Sequence, residues 1–347
     1  MKDFKIVFVL ILLFVYPVLC KEMIPLKIDG VVTHIKLDKD DFYLFNQSDS
    51  SIWRFDKSLH FVNKIGRSGE GPGEISVFSG FSIIDGQLYV QSGSKIMIFD
   101  PNGNLIEEMR IPRTSKFHVF DNRNMVEYAI TSPKDHSDPS QQVENLYLCD
   151  WHFNRKKLIF STTRTVVTPG FAFEAFVNTL QLTQALDGSG LLFNQPDKGI
   201  LFNIIDQNGN IVRTVQEKNE SRMRITDRFK KAFETKLMSD PRMKRNKEMA
   251  LQLFKQIHFP KHFPEVHSVH AAPGGVFYIR TYTRKNNMLL YKKYSSEGRF
   301  IADLWLEDDS QDIFESKNLQ AFAERVLFYL QENQDGELYM VKVPLPE

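Results

Sequence analysis

The chain has 347 residues, 42% of them hydrophobic and 25% charged, which is enough to bury a large core and excludes a disordered or fibrous chain. Its 44 basic residues against 43 acidic ones leave a formal charge of +1, so there is no general pull toward nucleic acid and no acidic tail. Any charged partner must be met by a local patch.

The first segment, MKDFKIVFVLILLFVYPVLCKE, sets Lys2 and Lys5 before an apolar run from Ile6 to Leu19 and closes with a proline, a cysteine and charges. That is the layout of a secretion signal over residues 1–20. The run falls short of the roughly 20 apolar residues a spanning helix needs. Cys20 resembles the lipidated cysteine of bacterial lipoproteins, although Leu19 stands where their processing box carries Gly, Ala or Ser. Soluble secretion after ordinary cleavage near Cys20 is the alternative. With Cys20 lipidated or removed, Cys149 is the one remaining thiol and no intramolecular disulfide can form. The protein is therefore expected to be exported, either lipid-anchored at the outer membrane or periplasm of a cell envelope or secreted, and to meet a membrane only through this segment.

From residue 24 onward, short runs of aromatic and β-branched residues alternate with turn clusters, the pattern of an all-β protein. A first unit, Lys36 to Ile65, is followed by a clearer one from Ile83 to Met109, with turns at Asp85-Gly86 and Asn102-Gly103 around three strands. The order returns at Phe120 to Phe160, Gln184 to Val215, His270 to Leu304 and, partially, Phe328 to Val343. About six antiparallel meanders predict a six-bladed β-propeller of four-stranded blades over residues 24–347, in which ring closure supplies the core that single blades lack.

Between the first two units lies GRSGEGPGEI, Gly66 to Ile75. A phosphate loop would need free backbone N–H groups and a following helix, whereas here Pro72 removes a donor, Glu70 and Glu74 add negative charge, and a strand pattern follows. The glycines instead allow positive φ in a sharp passage from one blade to the next. The stretch KIGRSGEGPGEI, followed by GFSIIDGQLYV and KIMIFDPNGNLI, resembles the NHL-type repeat of six-bladed propellers. It is especially similar to the secreted or lipid-anchored propellers of Bacteroidetes and other bacteria. The match is specific over Lys64 to Met109 and departs from the wider repeat at SGSKIMI, so that pattern's polar contacts do not transfer. The resemblance implies fold and export far more than function.

Between the fourth and fifth units the period becomes helical over residues 221–258, predicting a helical hairpin inserted in the propeller. Asp227 is expected to cap its first helix, and Ser239 or Asp240 with Pro241 to open its second. The insertion carries a basic excess, suited either to a solvated outer face or to an anionic lipid headgroup, polysaccharide or partner.

His258, His262, His267 and His270 fall within thirteen residues, but Pro260 and Pro264 prevent a helical pair, and His267 and His270 are expected on opposite faces of a strand. Calcium-dependent lactonases on six-bladed propellers imply carboxylates and amides around the channel, for which Glu74, Asn178 and Glu265 are candidates that no local motif selects. No G-x-S-x-G elbow is present, and Glu307, Asp308 and Asp309 read as a solvated turn. The expectation is a monomeric, non-catalytic propeller binding a protein partner or small ligand at one rim, with Arg67, Glu70, Glu74, His262, His267 and His270 as its surface. No nucleic acid and no cofactor are expected. A metal-dependent hydrolase or lyase with calcium or zinc in the channel is the alternative.

Overall fold

The computed structural model describes residues 21–112, 116–121, 124–131, 141–165, 173–175, 181–184, 191–194, 199–217, 222–239, 247–286, 288–307, 320–323, 325–333 and 335–345. The signal-like segment with Cys20, together with Asn178, Asp308 and Asp309, lies outside them.

Six four-stranded antiparallel sheets follow one another along the chain. Blade 1 pairs Val32–Asp38, Asp41–Asn46, Ser51–Phe55 and Phe61–Ile65. Blade 2 pairs Phe78–Ile84, Gln87–Ser92, Lys95–Phe99 and Leu105–Arg110. Blade 3 pairs Lys116–Val119, Asn124–Thr131, Gln141–Asp150 and Arg155–Thr165. Blade 4 pairs Gln181–Gln184, Leu191–Asn194, Ile200–Ile205 and Ile211–Glu217. Blade 5 pairs Val266–Ala271, Phe277–Lys285, Met288–Tyr294 and Phe300–Glu307. Blade 6 takes Gln320–Phe322, Val326–Glu332 and Leu338–Pro344 from the end of the chain and completes itself with Glu22–Leu26, whose Leu26 faces Leu338. The expected partial sixth unit is thus a full blade. Its outer strand comes from the other end of the sequence and closes the ring.

The burial gradient explains the residue choice. Third strands such as KIMIF and ILFNII are buried throughout because both faces meet neighbouring blades, so they read as continuous apolar runs. Outer strands such as LIEEMR are largely exposed. Seams between blades hold the core: Leu26, Leu37, Phe42, Phe55, Ala321 and Met340 join blades 6 and 1, while Tyr43, Ile65, Phe81 and Val90 join blades 1 and 2.

The turns from third to fourth strand share one device. Asp56, Asp100, Asp150 and Asp206 each accept backbone N–H bonds from residues two or four positions on. The side-chain amides of Asn104 and Asn210 hold Asp100 and Asp206 below the usual range, with the backbone bonds adding to this, and at Asp56 and Asp150 the His60 and Asn154 N–H groups lead. The fourth turn position has positive φ in every case, filled by Gly103 and Gly209 in blades 2 and 4 but by Leu59 and Phe153 in blades 1 and 3. Both exceptions are buried, at 8% and 7% exposure. Apolar burial offsets the cost of the left-handed backbone there.

Antiparallel order places the blade-to-blade connections on one rim, together with the turns between second and third strands. The same rim carries the helical insertion, α1 (Asp227–Ser239) and α2 (Lys247–Lys255), between blades 4 and 5. Thr226, rather than the expected Asp227, caps α1: its hydroxyl accepts the Phe229 N–H at 3.3 Å, and Asp227 is the first helical residue. Ser239 is the last residue of α1, and the expected start of the second helix at Asp240-Pro241 lies outside the described residues. The insertion is pinned through rings, Phe229 on Phe263 and Phe263 stacked on Tyr282 of blade 5 at 4.9 Å.

Candidate functional site: the connection rim and the channel wall

The glycine-rich connection folds onto its own acids. Glu74 accepts the Gly71 N–H at 2.8 Å and pairs with Arg67 at 2.9 Å, and the Gly71 amide, first among these bonds, holds its carboxyl below the usual range. A side chain at Gly69, where φ is +145°, would begin 2.1 Å from the Glu74 carboxylate, so glycine is required by both conformation and space. From below, Lys95 donates to the Gly71 carbonyl at 2.7 Å and pairs with Glu108 at 3.1 Å, while Glu108 also accepts the Gly73 N–H. Backbone donors that an anion would need are thereby committed to carboxylates. Of the expected surface, Arg67 is open to solvent and Glu74 is tied down. Glu70 offers its carbonyl to Lys95 at 3.5 Å.

A second feature lies where the insertion leaves the ring. Arg224, Ile225, Thr226, Asp227, Lys230, Phe259, Pro260 and Lys261 line a cavity of about 420 Å³. Its shape comes from two antiparallel contacts, Ile225 N–H to the Lys261 carbonyl and Phe263 N–H to the Met223 carbonyl, with Arg224 bridged to His262. Three cations face one acid there, and Asp227 already meets Lys230 at 3.4 Å. His262 therefore belongs to the connection rim, whereas His258 pairs with Glu174 in a short parallel bridge.

His267 and His270 lie in the channel wall, on the inner strand of blade 5. The pairing slips between Val266 and Ser268, and both rings reach the Ser268 hydroxyl, while His267 packs on Tyr282 and His270 on Phe322. Ser268 Oγ is hydrogen-bonded to His270 Nε2 at 2.8 Å and to His267 Nδ1 at 3.2 Å. Burial, with the Arg280 charge second, lowers the His270 pKa to about 3, so this ring is neutral at pH 7. Just before this strand Glu265, only 8% exposed, accepts Arg222 Nε at 2.6 Å. Its other oxygen has no hydrogen-bond partner among the described residues and sits 2.4 Å from where a Gly199 Cβ would stand.

The inner strands also carry residues that sequence reasoning passed over. His34 and Lys36 project from blade 1 toward blade 2, with the His34 ring against Phe78 at 4.9 Å and the Lys36 ammonium 5.6 Å from the Phe81 ring centroid. Burial lowers Lys36 to about 8. It also lowers His34 to about 4 and, on blade 3, His118 to about 4, each with a further push from the Lys36 charge. Along the six inner strands the sequence places four histidines and two lysines but a single carboxylate, Asp38. Among the described residues no group of three or more His, Cys, Asp or Glu side chains converges as metal ligands, and no helix is long and apolar enough to cross a membrane.

Comparisons with known proteins agree on architecture. A family profile described as a 6-bladed beta-propeller matches residues 28–175. A crystal structure from Bacteroides fragilis NCTC 9343, of a protein inferred to be exported, aligns over 94% of this chain and 95% of its own with TM-score 0.56 and 12% identity. Looser alignments reach regucalcin, a calcium-binding protein of Agrobacterium tumefaciens C58, over 92% of both chains with TM-score 0.40 and 9% identity. They also reach BamB of Moraxella catarrhalis, over 90% of this chain and 86% of that one with TM-score 0.37 and 10% identity. No curated protein sequence matches the chain significantly. At such identities the likeness shows the propeller fold alone.

Proposed function

We propose that this β-propeller is an exported, non-catalytic binding protein whose ligand or partner presents anionic groups to the connection rim. The observation that carries the reading is the cavity at the base of the insertion, lined by Arg224, Lys230 and Lys261 on the rim where the blade connections cluster. The described parts of the insertion and its exit loop, residues 222–265, add to this with nine Lys or Arg against four acids in a chain that is otherwise balanced. Export is supported by the signal-like residues 1–20. The glycine loop supports a scaffold role, since its charged groups brace the loop itself.

The reading is tested with a sulfated polysaccharide, heparin, as the probe. The wild-type protein is expected to be retained on a heparin column at low salt, and the double variant Arg224→Glu, Lys261→Glu to elute at clearly lower salt, as loss of phosphate-like contacts dictates. Charge reversal at Lys57 and Lys156, exposed on the opposite rim, is the control and is expected to change elution little. Equal shifts from both pairs would remove the rim from the account.

A further inference from the structure

The rim opposite the connections carries a repeated apolar feature. In blades 1, 2, 4 and 5 the outer strand begins with two consecutive apolar residues, Phe61-Val62, Leu105-Ile106, Ile211-Val212 and Phe300-Ile301, each between 37% and 58% exposed. The positions are equivalent, since the first residue of each pair faces the last residue of its third strand, as Phe61 faces Phe55 and Leu105 faces Phe99. The four pairs therefore stand at one height around the ring. Blade 3 departs, with Arg155 facing Cys149 at that position. Exposed apolar residues scattered singly need no explanation, but a set repeated blade by blade on one rim does.

Where the chain enters the ring indicates what covers this rim. Glu22 begins the outer strand of blade 6 opposite Lys342, near the end of the third strand, so residues 1–20 attach at the height of the four pairs. Met23 beside it is also exposed. Cys20 stands two residues before Glu22, a reach of about 7 Å at full extension, which leaves no spacer between a membrane attachment and this rim. A single lipid chain holds a protein only marginally, and stable attachment needs a second contact. The turn tips ahead of the pairs are small and uncharged in blades 2 and 4, Asn102-Gly103 and Asn208-Gly209. Tip and pair together span about 7 Å, close to the depth of one headgroup layer. Residues 56–62, 100–106, 150–156, 206–212 and 295–301 hold four basic against five acidic side chains, so charge adds little to such a contact.

We propose that this rim rests flat on the lipid bilayer that residues 1–20 enter, with the four apolar pairs in the interfacial layer and the ring axis along the bilayer normal. The inference rests on the reading of residues 1–20 as a membrane-directed segment. It turns the connection rim, with its basic cavity, away from the membrane.

Photo-crosslinking of the full chain in phosphatidylcholine vesicles that contain a diazirine phosphatidylcholine tests it, with adducts mapped by mass spectrometry after flotation. Adducts are expected at residues 61–62, 105–106, 211–212 and 300–301 as well as within 1–20. Their yield should stay within about twofold between about 0.1 M and about 0.5 M salt, because the contact is apolar. The quadruple variant Phe61→Ser, Val62→Ser, Ile211→Ser, Val212→Ser is expected to lower the yield at Leu105-Ile106 and Phe300-Ile301 at least about threefold. All four positions are exposed, so its melting temperature should match wild type, and alanine replaces serine if it fails to fold. A floated chain with adducts confined to residues 1–26, with adducts on the connection rim at 222–263 instead, or with equal yields in wild type and variant overturns the docking and leaves the anchor standing. Lipid excluded from the pairs in a chain that sediments as a dimer would give the rim to a second copy. A chain that does not float overturns anchor and docking together.

Discussion

Acidification from pH 7 to pH 5 destabilises the fold by several kcal/mol, before most carboxylates begin to titrate. Three channel imidazoles produce this. Their folded pKa values are about 4 for His34 and His118 and about 3 for His270, against 6.5 for an unperturbed ring. For a base whose folded pKa is depressed, the unfolded chain takes up the proton first. Stability is therefore complete above pH 6.5 and falls as pH drops toward the folded values. At pH 5 the linkage amounts to roughly 2 kcal/mol per imidazole, a large share of the roughly 5–15 kcal/mol that holds an ordinary domain together. The turn carboxylates of Asp56, Asp100, Asp150 and Asp206 are lowered as well, but from a lower ordinary value, so their contribution is complete above the unfolded carboxylate range and is lost only at lower pH. Melting temperature measured at half-unit steps from pH 7.5 to 4.5 should decline steadily through this window. His118→Gln and His270→Gln should each flatten the slope. A melting temperature unchanged between pH 7 and 5 would place these rings in water.

Removal of residues 1–26 is the second large effect, and it acts through ring closure. Strand Glu22–Leu26 pairs with Leu338–Pro344 over five positions and, among the described residues, is the one strand of the chain's beginning that joins the sheet of blade 6. It tolerates Pro25 because it is the outer strand of its blade, where one edge needs no partner. Leu26, 5% exposed, belongs to the seam between blades 6 and 1 with Leu37, Phe42, Phe55 and Met340. Loss of one such buried leucine costs about 2–5 kcal/mol, and the truncation also strips the ladder from the third strand of blade 6 and opens the ring. The truncated protein is expected to unfold at least 10 °C lower, by roughly ΔΔG over unfolding entropy, or to aggregate through the bared edge of Leu338–Pro344. Truncation at residue 20 keeps the strand and should leave the melting temperature unchanged. Equal stability of both truncations would show that the ring closes elsewhere.

How far the sequence reveals this architecture depends on local chemistry. Blades 2 and 4 stand out in the sequence because Gly103 and Gly209 occupy the positive-φ turn position. Blades 1 and 3 look irregular because Leu59 and Phe153 hold the same conformation and draw compensation from tertiary burial that no turn rule registers. Blade 6 looks partial because its fourth strand lies more than 300 residues away in the chain, beyond any repeat search. The role of the glycine loop follows from Pro72, Glu70 and Glu74 alone. Lys95, which fastens the loop from a strand 24 residues later, does not show, since it reads as an ordinary strand residue. The bulge at His267 is likewise invisible to strict alternation. Lys36 had a readable signal: a lysine between Ile35 and Leu37 on an inner strand, whose neighbours are buried in the seam with blade 6 while it projects toward blade 2.

Binding at the connection rim is tested by hydrogen exchange of the protein with and without a sulfated heparin oligosaccharide. Added protection confined to residues 222–230 and 259–263, around the basic cavity, is the predicted result. Protection centred on the opposite rim, at the turns of residues 56–60, 100–104, 150–154 and 206–210, would contradict it.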